Sequence, residues 1–224
     1  MNVYISFLIG FEFLNAHTAS QPKNAHISVL SSIKAVDIEH ISEIDTFDPT
    51  WVDSLSLSLP CYGIPVPKRT MRLPNAPRNY RNGTHRGLDF FANWGTPVRS
   101  VADGIVVRSD LHYEEVPADF RENLLKATTK VGHTPSDIFN SVLLGKSVFL
   151  DHGFDLIPGF RTISIYAHLS HIEKEIVPGA IVKRGELLGK SGNTGMREST
   201  IGSKAGSHLP VSYTHLTLPT SFLV

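Results

Sequence analysis

Two side chains that commonly bind divalent metals, His85 and Asp89, stand on either side of a glycine in the run Thr84-His85-Arg86-Gly87-Leu88-Asp89. An imidazole nitrogen and a carboxylate oxygen are both ordinary zinc donors, each lying about 2 Å from the ion. In a fully extended chain, positions i and i+4 share a face but sit roughly 13 Å apart, too far to share one ion. The backbone therefore has to turn between them. Gly87 permits such a turn without a Cβ penalty, and Gly83 loosens the entry in the same way. Standing alone, the spacing describes a solvated surface pair as readily as a metal site, because the chain holds 11 histidines. Two further histidines are placed where they could serve the same chemistry. His168 closes the alternating run Thr162-Ile163-Ser164-Ile165-Tyr166-Ala167, and His208 follows Gly206-Ser207. Alone, the first reads as a half-buried residue at a strand end and the second as an exposed loop histidine.

The elements that would carry these residues are mostly strands. Asn93-Trp94-Gly95-Thr96-Pro97 has the composition of a turn, Asp103-Gly104 is a hairpin signal, and Ile105-Val106-Val107 is β-branched. Ser147 to Gly153 and Thr162 to His168 read as further strands, and the glycines between Pro178 and Gly195 cut that stretch into short strands and tight turns. No strand–helix alternation supports a parallel sheet. The expected fold class is therefore mainly β, an antiparallel sheet with a short helical insertion at about 111–146. In that insertion Phe120, Leu124, Ala127 or Thr128, and Val131 recur at helical spacing, and Thr134-Pro135-Ser136-Asp137 reads as a capping box. A glycine-rich phosphate cradle at 192–195 is disfavoured, since no helix start with Lys-Ser/Thr follows Gly195.

Composition narrows the partners. The 21 basic residues balance 21 acidic ones and no Lys/Arg run appears, which argues against a nucleic-acid partner. Cys61 stands alone, so no internal disulfide and no multi-cysteine zinc site can form. Residues 1–20 have the apolar run and small residues of a weak signal segment, yet Glu12 interrupts the run and no Lys or Arg precedes Lys23. No stretch is apolar for long enough to predict a membrane span. Residues 21–70 read as an irregular N-terminal extension. The prolines in Ile64-Pro65-Val66-Pro67 and Leu73-Pro74-Asn75-Ala76-Pro77 place the start of the domain near residue 71.

With these pieces in order the chain resembles the lysostaphin/LytM-type zinc endopeptidases, which cut peptidoglycan peptides. Four segments carry the likeness: Thr84 to Phe90; Gly95-Thr96-Pro97-Val98 with Ala102-Asp103-Gly104-Ile105-Val106; Tyr166-Ala167-His168-Leu169-Ser170; and Val177-Pro178-Gly179 through Gly195 to Gly206-Ser207-His208-Leu209. The resemblance implies a LytM-like metallopeptidase domain over 71–209, a zinc cofactor, a peptidoglycan peptide as substrate, and a place in the cell envelope, periplasmic or extracellular. It implies that His85 and Asp89 are the first two zinc ligands and that His168 sits beside the metal without binding it. His208 corresponds to the first histidine of the family's H-x-H, the general base.

The sequence departs from that pattern at the second histidine of H-x-H, the third zinc ligand, where it reads His208-Leu209-Pro210. Proline offers a metal no donor and also removes a ladder hydrogen bond from a strand. The expectation is weak zinc binding and slow or absent hydrolysis. His215 is a rival third ligand, disfavoured because five residues and a proline would have to loop back. The run 210–224, PVSYTHLTLPTSFLV, is unlike the rest of the family's last strand and reads as a non-native tail, such as translated adapter sequence. Besides an active endopeptidase, two readings stand: a catalytically inactive LytM-like protein that binds cell wall or regulates a hydrolase, and, last, a biotinyl/lipoyl-like carrier, which lacks the lysine its hairpin needs.

Overall fold

The computed structural model describes residues 55–157 and 160–216, with the side chains of all but 215 and 216. The segment read as a signal, 1–20, and residues 217–224 lie outside them. The chain divides into two units, Met1–Phe47 and Asp48–Val224, and every described residue belongs to the second.

Short apolar runs separated by Gly, Pro and Asn give eleven strands among the described residues: β1 (Pro77–Arg78), β2 (Gly83–Thr84), β3 (Leu88–Phe90), β4 (Pro97–Arg99), β5 (Gly104–Ser109), β6 (Val148–Asp151), β7 (Arg161–Tyr166), β8 (Leu169–Ile172), β9 (Ile181–Val182), β10 (Leu187–Ser191) and β11 (Leu209–Leu216). They form a six-stranded sheet in the order β3-β11-β7-β6-β5-β9, a three-stranded sheet β4-β10-β8, and the small pair β1-β2. Every pairing is antiparallel, as the sequence predicts. The hairpin expected at Asp103-Gly104 does not form. β4 leaves for the three-stranded sheet while β5 enters the six-stranded one. Asp103 instead stabilises this corner from outside, accepting hydrogen bonds from the Arg184 amide at 2.7 Å and Lys183 Nζ at 3.0 Å.

The main core includes Val98, Val106, Val148, Leu150, Tyr166, Leu169, Val182, Leu188 and Leu209. Cys61 is fully buried in the same cluster, so the chain before residue 71 already contributes to the core. At about 25 cal/mol per Å² of apolar surface withdrawn from water, each of these side chains contributes roughly 1.5–3 kcal/mol. Strand β7 is buried on both faces, since successive side chains alternate. Tyr166 points into the main core, while Ile163, Ile165 and Ala167 meet Phe139, Leu144 and Phe149 in a second cluster.

That second cluster shows what the helical insertion does. Helix α1 (Ala118–Val131) and the short α2 (Ser136–Ile138), continued by a π turn at Phe139–Leu143, bring Phe139 and Leu144 onto the sheet. The helix falls where the spacing predicts, but the buried face differs. Of the residues at that spacing Thr128 is buried, but Phe120 and Val131 are half exposed or more, and Arg121, off the spacing, is buried. Arg121 Nε donates to the Gly195 carbonyl at 3.0 Å, a tertiary bond that apolar periodicity does not register. The capping box at 134–137 is not made either. Pro135 is the N-cap, and the Thr134 hydroxyl donates to the Arg81 carbonyl instead.

Strand β11 lies inside the six-stranded sheet, between β3 and β7, and Pro210 stands within it. The Pro210 carbonyl accepts the Ala167 amide at 3.2 Å, so the ladder bond its missing N–H forgoes is on the β7 side. Toward β3, Pro210 pairs with Asp89.

Candidate metal and peptide-hydrolysis centre

Four segments deliver His85, Asp89, His168 and His208 to one end of the sheet. Asp89 is the middle residue of β3 and is buried. His85 follows β2 and is held by its own backbone, its amide donating to the Ala76 carbonyl and its carbonyl accepting the Asn75 amide, both at 2.8 Å. Gly87, between the two, is required for a different reason from the one its position suggests. Its φ is not in the left-handed region; a Cβ there would lie 2.5 Å from the Val211 carbonyl oxygen of β11. Gly87 is therefore a point of close approach between strands rather than a turn pivot.

His168 comes two residues after β7 and has φ 56, a left-handed conformation that costs a non-glycine residue about 1 kcal/mol or more. Its amide donates to the Leu144 carbonyl at 2.9 Å, tying it to the helical insertion. His208 precedes β11 and bridges to Gly192.

The three imidazoles are oriented in one way. A carbonyl oxygen can only accept a hydrogen bond, so a ring nitrogen facing one must carry the proton. His85 Nδ1 faces the Leu73 carbonyl at 2.9 Å, His168 Nδ1 the Thr194 carbonyl at 2.7 Å, and His208 Nδ1 the Gly206 carbonyl at 2.8 Å. Each Nε2 is then left for the site. His85 Nε2 is 2.7 Å and His208 Nε2 3.8 Å from Asp89 Oδ1, and the His168 and His208 rings meet edge-on with centroids 5.0 Å apart. Sequence reasoning identifies the imidazoles but not the main-chain acceptors that turn them. All three lie in stretches that stand out for other reasons, Leu73 in a proline run, Thr194 in the glycine-flanked turn at 192–195 and Gly206 just before His208, and the turn at 192–195 holds a histidine rather than a phosphate.

Electrostatics sharpen the roles. Burial pushes His168 down to about 3, with repulsion from His208 adding to it against the Thr194 hydrogen bond. His208 is also lowered, chiefly by burial, against the pull of Asp89. Burial alone would raise the Asp89 carboxyl, but the His85 hydrogen bond and the charges of His208, His85 and Arg78 hold it below the usual carboxylate value. Arg78 Nη2 reaches Asp89 Oδ2 at 3.2 Å, a pairing absent from the sequence reading.

His85 suits a metal. Both of its ring nitrogens face acceptors, so its Nε2 must carry either a proton or a cation toward Asp89 Oδ1, and the Nδ1–H bond to Leu73 is the outer contact that metal-bound histidines use. The third position does not suit one. Directly paired residues on adjacent strands share a face, so the ring of Pro210 stands beside Asp89. Among the described residues no group of three or more His, Cys, Asp or Glu side chains is arranged to hold an ion.

Residues 127–217 match peptidase family M23. The M23 match takes in His168, His208 and β11, and begins downstream of His85 and Asp89. It agrees with the resemblance to lysostaphin/LytM-type peptidases carried by the motifs. No curated protein matches the sequence. Among solved structures, the chain is similar to a candidate M23 peptidase from Pseudomonas aeruginosa (26% identity, 72% of this chain and 45% of that one, TM-score 0.39). It is also similar to a zinc-containing peptidase from Vibrio cholerae (21%, 68% and 36%, TM-score 0.38) and to the catalytic domain of lysostaphin from Staphylococcus simulans (20%, 77% and 90%, TM-score 0.39). The alignments span less than half of the first two relatives.

Proposed function

We propose that this protein is a zinc-dependent endopeptidase acting on peptidoglycan peptides in the cell envelope, with its activity impaired by Pro210. The observation that carries the reading is the common orientation of three imidazoles, each fixed by an Nδ1–H bond to a main-chain carbonyl, around the Asp89 carboxylate.

His85 and Asp89 would hold the ion. Zinc, when bound, supplies Lewis acidity that polarises a scissile carbonyl and makes water acidic enough to attack near neutral pH. The remaining steps belong to the chain. His208, neutral because burial lowers it, accepts the proton of the attacking water on Nε2 and returns it to the departing amine. His168, held neutral with Nε2 unprotonated, can accept a hydrogen bond but not donate one, so its part is to orient the attacking water. This replaces the oxyanion donor that a freely rotating imidazole would offer.

Pro210 beside Asp89 also favours a second reading, a catalytically inactive relative that binds cell-wall peptide or regulates a hydrolase. Zinc titration by calorimetry of this chain and of Pro210→His, with cleavage of cross-linked peptidoglycan followed in parallel, separates the two. Tight zinc binding with cleavage in the variant supports the peptidase. Tight zinc binding without cleavage of any peptidoglycan would discard it.

A further inference from the structure

The centre opens into a cleft of about 550 Å³ whose walls include Arg72, Arg78, Tyr80, Asp89, Met196 and His208. Asp89 is the one carboxylate among its lining residues, and both of its oxygens are occupied, Oδ1 by His85 and Oδ2 by Arg78. Arg78 is engaged as well, its Nη2 also donating to the Met71 carbonyl at 2.8 Å and its Nη1 to the Pro77 carbonyl at 3.3 Å.

Arg72 is different. Its guanidinium lies 3.6 Å over the ring of Phe91, and Arg69 shares that ring at 5.4 Å. A cation held over an aromatic ring by attraction to the ring keeps its N–H groups available as hydrogen-bond donors. The hydrogen bond of Arg72 among the described residues is a long one, 3.4 Å from Nη1 to the Asp89 carbonyl. Arg69 and Arg78 repel it, and together with burial, the larger cause, they lower it against the pull of Asp89. A half-buried guanidinium on the cleft wall, beside two like charges and with one long hydrogen bond among the described residues, is an arrangement that a bound anion completes.

We propose that Arg72 is a specificity residue that pairs with a free carboxylate on the peptide, so that the cleft selects acidic peptides over neutral oligoglycine. The inference rests on the peptidase reading for the identity of the ligand. A carboxylate meets the guanidinium edge through two parallel hydrogen bonds, which an uncharged carboxamide or glycine bridge cannot match. Tyr80 and the thioethers of Met71 and Met196 offer adaptable apolar walls for the rest of the peptide.

The test uses the full chain, its Arg72→Gln and Arg72→Lys variants, two synthetic peptides differing only in a terminal carboxylate or carboxamide, an oligoglycine amide, and inorganic phosphate. Calorimetry of the wild type should show the acid binding roughly 10–100-fold more tightly than the amide, as a charge-assisted bond implies. Arg72→Gln should erase that preference, bringing the acid's affinity down to that of the amide. Arg72→Lys, which keeps the charge but loses the fork, should retain part of it and serves if the Gln variant does not fold. Equal binding of acid and amide, binding of neither, an equal loss of both in Arg72→Gln, or binding of phosphate without discrimination between the peptides would each overturn the proposal. Cleavage by Pro210→His keeps the two readings apart. If that variant cuts acid and amide equally well, the peptidase stands and the role of Arg72 falls. If it cuts neither while the Arg72-dependent preference in binding persists, the carboxylate subsite stands and the peptidase falls.

Discussion

Pro210 is the direct cross-strand partner of Asp89. Because the Pro210 carbonyl is turned to β7, the pair is of the non-hydrogen-bonded kind, in which side chains approach most closely. A side chain at 210 is therefore beside the Asp89 carboxylate, where in the proposed metal site it would be the third donor.

Pro210→His should restore that donor and, with it, one ladder hydrogen bond. The gain in zinc affinity should be at least as large as the about 10–100-fold that loss of an outer-shell partner costs. Competition against a chelator of known affinity measures it, and an unchanged affinity would remove position 210 from the site.

Sequencing the native locus past codon 209 addresses the same position. If 210–224 is a non-native tail, the genomic reading should give histidine at 210 and a different continuation. The same proline and the same tail in the genome would make the departure intrinsic to the protein.

Gly87→Ala should destabilise the fold by more than about 1 kcal/mol, because relief requires β3 and β11 to separate. The same separation would pull Asp89 from its neighbours. Urea unfolding measures the first effect, and loss of zinc affinity in the Pro210→His background measures the second.

His152 makes stability depend on pH. Its Nδ1–H donates to the Asp103 carbonyl at 2.6 Å, so its Nε2 accepts from the Ser164 hydroxyl at 2.7 Å, and burial lowers it. The unfolded chain then binds a proton that the folded chain refuses. Stability is full above the unfolded value of about 6.5 and falls as pH drops below it, by at most about 1.4 kcal/mol per pH unit for one group. His168 and His208 are lowered too and act with the same sign. His152→Gln should therefore lower stability near neutrality and flatten, without abolishing, the decline toward acid. Urea midpoints across that range check it, and an unchanged slope would assign the dependence elsewhere.

The legible parts of this fold are those written in local chemistry. A β-branched run marks β5 and alternation marks β7, and His85, Asp89, His168 and His208 stand out by residue type and by their order along the chain. Less legible are the features set by distant partners. Asp103-Gly104 carries a hairpin signal, yet which sheet each flanking strand joins is decided by β6, β9 and β10. Phe120 and Val131 have helical spacing, but Arg121, which lacks it, is buried with its bond to the distant Gly195 carbonyl. The Leu73, Thr194 and Gly206 carbonyls that aim the imidazoles are main-chain atoms, and any residue supplies one. Arg72 and Arg78 lie in a proline-rich stretch with no period, so nothing local places them over the cleft.

Among the described residues β3 has β11 as its one neighbour in the larger sheet, although the two are encoded near opposite ends of the domain. On the ribosome, the carboxylate-bearing strand must therefore wait for the distant end of the message before its edge is covered. The candidate site can thus be completed only once His208 and β11 have been synthesised, long after His85 and Asp89.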